Sequence, residues 1–340
     1  MSAYLRTALL VGAGLAAISA ASAQDQVTLR VADHYSPTAL TPKYTIGFFM
    51  DYVTERAGDR VAFEYYPAEQ LGKAADMLSL TEQGVIDISL VAAGYVSDRM
   101  PLSAVSELPG TYATACEGTR AYWEMAKGGQ LAELEFEANG VKPLLAFLLP
   151  PYQILTREPL ETIADLEGQK LRSGGTAQDI TIGKLGAVPV RMGGVEVYEG
   201  LSRGTLDGAV FPLQSAIDFR LPEILKASTR NANFGGFAST YSMSLDAWEA
   251  LPDDLKELFR EAGDAAVEHA CSSLDGDNSG PAIERLEGMD VTVSEMSPEL
   301  AAAVQERLAT VHQEWAAGID GRGLPGTEIL EDFLGRLGTN

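Results

Sequence analysis

The chain has 340 residues, 46% hydrophobic and 21% charged, enough for about two globular domains. It carries 48 acidic against 25 basic residues, a net charge of −23, and such a surface repels anionic lipid and nucleic acid and argues against nucleic acid as a partner. A small anionic ligand is not excluded, because salt screens surface charge beyond about 8 Å while an arginine in a cleft acts at contact.

The first residues read as a secretory signal, residues 1–23: Arg6 supplies the positive charge, Ala8 to Ile18 the short apolar run, and Ala21-Ser22-Ala23 the small-residue cleavage site before Gln24. That run is too short to span a bilayer, which needs roughly 20 residues. Gly12-Ala13-Gly14 superficially matches a dinucleotide fingerprint but follows no strand. Cleavage would remove one base, leaving 24 basic against 48 acidic residues, and the absence of a cysteine at the new terminus argues against a lipid anchor. The expected location is the periplasm.

The mature chain then alternates. Val27 to Ala32 reads as a strand, and Thr41-Pro42 opens a helix with Tyr44, Phe48 and Tyr52 on one stripe, ended by Gly58. A strand at Val61 to Tyr66, a helix at Ala74 to Gln83 and a strand at Ile86 to Ala92 complete a β-α-β-α-β unit, which implies a parallel sheet. The same order returns as strand Lys170 to Ser173, helix Ala177 to Leu185, strand Ala187 to Met192, helix Val195 to Arg203 and strand Leu206 to Phe211. The third joints match: Gly84-Val85-Ile86-Asp87 and Gly204-Thr205-Leu206-Asp207, with glycine in the left-handed position that ends a helix. Beyond lies a mainly helical region. A long amphipathic helix within Asp246 to Cys271 is expected to break at Asp275 to Gly280 and resume over Pro281 to Leu286; Val291 to Val293 is a strand. Pro298 to Ala317 is a helix capped by Ser297, and Pro325 to Leu337 one capped by Thr327.

Arg172 is the main candidate for chemistry. It stands at the carboxyl end of a strand, where open α/β sheets bind ligands, and its guanidinium is a fixed fork for a carboxylate. Gly174 beside it lets a ligand approach the backbone. The other loops leaving strand ends carry Asp33, His34 and Tyr35, then Gly94 and Tyr95; Tyr152 opens the second lobe, Phe211 ends a strand, and Phe237 to Tyr241 follows Gly235-Gly236. For the aromatic residues core packing is the competing reading. Enzyme signatures are absent: no G-x-S-x-G, H-E-x-x-H, phosphate loop or C-x-x-C occurs. Two cysteines and three scattered histidines, His34, His269 and His312, make no metal-ligand spacing, and Asp275 to Gly280 starts like a calcium loop whose closing position holds Leu286. No cofactor and no metal are expected. Cys116 and Cys271 could pair in an oxidising compartment or remain separate buried thiols; the sequence leaves both open.

Several segments resemble the extracytoplasmic solute-binding proteins of tripartite ATP-independent periplasmic (TRAP) transporters. They are Tyr66-Pro67-Ala68-Glu69-Gln70-Leu71-Gly72, Leu108-Pro109, the Asp165-Leu166-Glu167-Gly168-Gln169-Lys170-Leu171-Arg172 run, Gly186 to Met192, Glu196-Val197-Tyr198, Gly204 to Gly208 and Trp248 to Pro252. The resemblance covers nearly all of the mature sequence. It implies an α/β, two-lobed periplasmic-binding-protein-like fold, with a ligand cleft between the lobes and a long helix crossing both. Lobe I would hold residues 24–149 and 238–278, and lobe II, with the C-terminal helices, residues 150–237 and 279–340. It further implies a monomer that captures a small organic anion on Arg172 and hands it to TRAP membrane transporter subunits without chemistry. The expected ligand-binding set is Arg172, Tyr152, Phe211, His34, Tyr35, Gln70, Gly94, Gly174, Phe237 and Tyr241. Two departures bear on the cargo: Ala209-Val210-Phe211 stands where many members have a polar run, and Tyr152 stands where sialic-acid-type members have a second arginine. Both favour an aromatic or compact apolar acid over a hydroxylated sugar acid. A sensory module presenting ligand to a signalling partner and an exported enzyme on the same scaffold are the alternatives.

Overall fold

A computed structural model describes residues 26–278 and 280–338, so the signal-peptide reading falls outside the described residues. Its first unit is β1 (Val27–Ala32), a single helical turn α1 (Leu40–Pro42), α2 (Phe48–Ala57), β2 (Val61–Tyr66), α3 (Met77–Glu82) and β3 (Ile88–Ala92). Next come α4 (Ala115–Gly128) and β4 (Val141–Leu148), after which the chain crosses to a second sheet as β5 (Gln153–Thr156). There β6 (Lys170–Ser173), α5 (Thr176–Lys184), β7 (Val188–Arg191), α6 (Val197–Ser202) and β8 (Gly208–Phe211) repeat the first unit. After α7 (Leu213–Asp218) and β9 (Ala227–Thr229) the chain returns to the first sheet as β10 (Ala238–Ser244). The remainder is α8 (Leu245–Ala250), α9 (Asp253–Asn278), α10 (Gly280–Glu287), β11 (Thr292–Ser294), α11 (Pro298–Leu308), α12 (Val311–Asp320) and α13 (Gly326–Arg336).

The two sheets share a plan. One has the order β2-β1-β3-β10-β4 and the other β11-β9-β5-β8-β6-β7. Each contains a parallel trio, β2-β1-β3 or β7-β6-β8, extended by an antiparallel strand beside its third member, β10 or β5. The matched glycine-to-aspartate joints now have a physical reason. Gly84 and Gly204 take φ of +68° and +72°, ending their helices in the left-handed region. Asp87 then accepts the Arg30 backbone N–H at 2.7 Å, and Asp207 that of Lys170 at 2.8 Å. In return Arg30 and Lys170 carbonyls accept the two aspartate N–H groups at 3.2 and 2.8 Å. Each carboxylate hooks the third strand of a trio onto its first. The hooks also explain why β3 and β8 start two residues later than apolar patterning suggests: the intervening residues form the hook and not the ladder.

Helical details depart from expectation at four places. The Tyr44, Phe48 and Tyr52 stripe is only half-buried; a π-helical stretch at Lys43–Gly47 offsets the helix, so Ile46, Phe49 and Val53 are the fully buried positions, and Phe48 instead stacks on His269 of α9 at 4.3 Å. The polar Asp275 segment does not break the long helix. It continues α9 to Asn278, and the Asp275 carboxylate accepts the Ala115 and Cys116 N–H groups at 2.6 and 3.0 Å, capping α4 from outside. The stretch from Pro298 is two helices, α11 and α12, capped at its start by Ser297 as expected, with His312 of α12 bonded to the Pro109 carbonyl at 2.7 Å. Thr327 does not cap α13; helix α13 starts at Gly326, and Asp320 at the end of α12 binds both the Thr327 N–H (3.0 Å) and its hydroxyl.

Cys116 and Cys271 form a disulfide, tying α4 to α9 across 155 residues of sequence. Both helices pack on β4, so the link lies inside the first lobe. Helix α10 carries on into the second lobe against α7 and β11, while α12 packs on α5 and α13 returns to α4 and the Ser103–Glu107 turn.

Candidate functional site

The carboxyl ends of the parallel strands of both sheets face one another, and the chain crosses between them along two antiparallel segments. Leu149 N–H donates to the Phe237 carbonyl (3.1 Å), Tyr152 N–H to Gly235 (2.9 Å) and Phe234 N–H to Tyr152 (3.1 Å). This ribbon carries Tyr152 and Phe237 into the seam, their rings nearly parallel with centroids 6.5 Å apart.

Arg172, third residue of β6, is 1% exposed. Its Nε donates to the Met192 carbonyl at 3.1 Å and one terminal nitrogen to the Tyr95 hydroxyl at 3.2 Å. Its carbon lies 4.6 Å from the centre of the Phe211 ring. The remaining nitrogen, Nη1, is buried without a hydrogen-bond partner in the protein. A buried guanidinium left one donor short, walled by aromatic rings, is equipped to take an anionic oxygen. The rings run on: Tyr152 lies 6.1 Å from Phe211, Tyr95 5.0 Å from Phe237, and Phe219 joins Phe211 to Tyr35 at 5.7 and 6.3 Å. Burial pushes the Tyr152 phenol well up, against the opposing pull of Arg172, so it stays a neutral donor.

His34 stacks on Tyr35 at 4.5 Å and lies 5.9 Å from Tyr95. It is 5% exposed, its Nδ1 has no partner in the protein, and burial holds the imidazole down at about 4, so it is neutral at pH 7. Beneath it, Asp33 accepts from Tyr65 (2.6 Å), Tyr241 (2.7 Å) and the Tyr35 N–H (2.9 Å), which fixes the loop that presents His34. Gly94 meets the second lobe directly: a methyl carbon there would come within 2.7 Å of the Gly174 carbonyl and 2.6 Å of the Phe237 ring. Tyr95 clasps the lobes, accepting the Gly194 N–H at 2.9 Å beside Arg172, and Thr176 bonds Ser97 at 2.9 Å.

Of the residues expected at the site, Arg172, Tyr152, Phe211, Phe237, His34, Tyr35, Gly94 and Gly174 come together at this seam. Two do not. Gln70 is exposed in the loop after β2, and the Tyr241 hydroxyl is spent on Asp33 in a fully buried strand, where it supports the site from below. Two residues outside that set belong to the seam. Tyr95 shares its loop with Gly94. Glu107 is fully buried against Gly94, Gly175 and Phe237 with neither oxygen hydrogen-bonded; its signal in the sequence is one acid inside the apolar and serine run before Leu108-Pro109.

Residues 34–318 match the model of bacterial extracellular solute-binding protein family 7. The chain belongs to this family. Among relatives of this solute-binding family, the uncharacterized protein YiiZ of Salmonella typhimurium is 30% identical over 54% of this chain and 56% of its own length, so the chain spans about half of that relative. A TRAP solute-binding protein from a marine metagenome (unidentified microbe), specific for aromatic acid ligands and crystallised with 3-hydroxybenzoate, superposes with a TM-score of 0.85 at 26% identity, over 92% of this chain and 98% of that one. One from Rhodoferax ferrireducens T118 with copurified benzoate gives 0.84 at 24% identity and the same coverage. Other matching structures hold mandelate, pyroglutamate or galacturonate. The chain is a solute-binding protein of the TRAP type, and its two-lobed α/β fold is that of these structures.

Proposed function

We propose that this chain captures a monocarboxylate with an aromatic or compact apolar body between its lobes and delivers it, without turnover, to the membrane subunits of a TRAP importer. On this reading residues 1–23 are removed on export, the protein works in the periplasm as a monomer, and the lobes divide at residues 149 and 238 and after 278. The observation that carries the reading is the unpartnered Nη1 of buried Arg172 inside a wall of Phe211, Tyr152, Tyr95 and Phe237. The ligand carboxylate sits on the guanidinium and its apolar body between the rings. Desolvation on closure strengthens this charge-assisted pair, and truncating one partner of such a pair costs about 2–5 kcal/mol. The relative of 26% identity that binds 3-hydroxybenzoate supports the aromatic side of the reading.

Calorimetry with 3-hydroxybenzoate, and with galacturonate as the sugar-acid control, tests it. The wild type should bind the aromatic acid and not the sugar acid. Arg172→Ala should lose at least thirtyfold in affinity with its fold intact by circular dichroism. Arg172→Lys should recover only part of the loss, because a point charge lacks the planar fork. Normal binding by Arg172→Ala would remove Arg172 from the site, and a preference for galacturonate would overturn the cargo.

A further inference from the structure

Glu107 ends a helical turn, Ser103–Glu107, in the first lobe and is 0% exposed. Both of its oxygens lack a hydrogen-bond partner in the protein, and among the described residues no ion pair reaches it. Its cover comes from both lobes. Gly94 and Phe237 lie on one side; on the other lies the Gly174-Gly175 step of the second lobe, so close that a methyl carbon on Gly175 would strike both carboxyl oxygens and the Gly94 Cα at 2.9 Å. A carboxylate in such a place has neither water nor a donor to hold its charge, and the neutral acid is the favoured form.

We propose that Glu107 takes up one proton when the lobes close, so that carboxylate capture by this chain is coupled to protonation of a second, separate carboxyl. The inference rests on the receptor reading above. With the lobes apart, the glycine step of the second lobe leaves and water solvates the carboxylate. Closure removes that water, and the solvent supplies the proton that turns carboxylate into carboxylic acid. Neutral Glu107 then spares the bound ligand carboxylate a like charge beside Arg172.

The surrounding charges are few. Glu135, the buried acid at the start of the same turn, is held by the Leu102 and Ser103 N–H groups and the Ser103 hydroxyl, all within the first lobe, so closure leaves its cover unchanged although burial raises it to about 7. Arg172 and Arg191 of the second sheet draw the Glu107 carboxyl down and Asp179 of α5 pushes it up, but Arg191 and Asp179 are already paired with each other. Of the nearby phenols, Tyr112 donates to the Leu149 carbonyl, Tyr122 to Ser103 and Tyr241 to Asp33, while Tyr95 accepts from Arg172 and the Gly194 N–H. On α13, which packs on the same turn, Asp332 pairs with Arg336 and Glu328 accepts from Gln130. Burial outweighs them all and pushes Glu107 up to about 8 from its ordinary 4.5. Between those two values closure takes up a proton, and affinity falls as pH rises, about tenfold per unit in mid-window. His34 has the opposite sign: its window runs from 6.5 down to about 4, and its proton release falls from about half a proton at pH 6.5 to about a tenth at pH 7.5.

Calorimetry with 3-hydroxybenzoate between pH 6.5 and 7.5, in two buffers of different ionisation heat, counts the proton directly. The wild type should take up nearly one proton per ligand more than the variants at each pH and lose several-fold in affinity across that unit. Glu107→Gln and the apolar Glu107→Leu should show no uptake, only the small release that His34 contributes near pH 6.5, their folding checked by thermal melting. Binding with no proton uptake in the wild type, or the same uptake in both variants, overturns the inference while leaving the receptor reading standing. Failure of the wild type to bind 3-hydroxybenzoate or benzoate at any pH overturns that reading and this inference with it.

Discussion

A histidine kept neutral by burial makes the protein sensitive to acid. The imidazole of His34 is held at about 4 against 6.5 in the unfolded chain, so the unfolded state binds the extra proton between those values. Its stabilising contribution is therefore present above pH 6.5 and is lost as pH falls toward 4, by about 3 kcal/mol at most. Urea unfolding at pH 7 and pH 4.5 should show a larger acid loss for the wild type than for His34→Gln; equal losses would mean that the ring meets water in the folded state. Arg172 was legible in the sequence because a strand end followed by Ser-Gly-Gly needs only local patterning, and Phe211 because it ends the apolar run that follows the Gly204-to-Asp207 joint. Glu107 was not, because nothing local says that Gly175, 68 positions away, will cover it. Gln70 misled for the converse reason: a family-like segment marks the loop after β2, but the loop turns its glutamine to solvent.

At the scale of elements, the parallel trios were readable and the strands that join them were not. Apolar periodicity and glycine stops locate β1 to β3 and β6 to β8 closely. By contrast β10, Ala-Ser-Thr-Tyr-Ser-Met-Ser, is buried at every position yet reads as polar. Its hydroxyls find partners locally, as Thr240 and Ser242 do at 2.8 Å, and its ladders come from residues 90 or more positions distant. The loops leaving these strands must also fit together across the seam. Gly94→Ala should shift the Glu107 carboxyl within the first lobe and hold the lobes apart, since the added carbon meets that carboxyl, the Gly174 backbone and the Phe237 ring. We expect a loss of tenfold or more in 3-hydroxybenzoate affinity and a larger radius of gyration with ligand present in X-ray scattering. Unchanged affinity would show that the two backbones part without consequence.

For the whole molecule, the disulfide between α4 and α9 closes 155 residues of chain, and the loop-entropy account gives such a link about 5 kcal/mol. Cys116→Ser/Cys271→Ser should therefore lower the melting temperature by many degrees. Its 3-hydroxybenzoate affinity at 20 °C should change less than threefold, because both cysteines lie on one side of the seam; a large affinity loss would mean that the link shapes the seam itself. The duplicated aspartate hooks have a different consequence. They sit where β3 and β8 begin, roughly 15 Å of strand away from the aromatic wall. Whatever fixes each sheet is thus remote from whatever meets the cargo. On the proposed reading, volume-conserving exchanges at positions such as 152 and 211 would change the diet of such a receptor while the hooks keep its frame, and one architecture could diversify among many acids by exchanging residues at the tips of its strands.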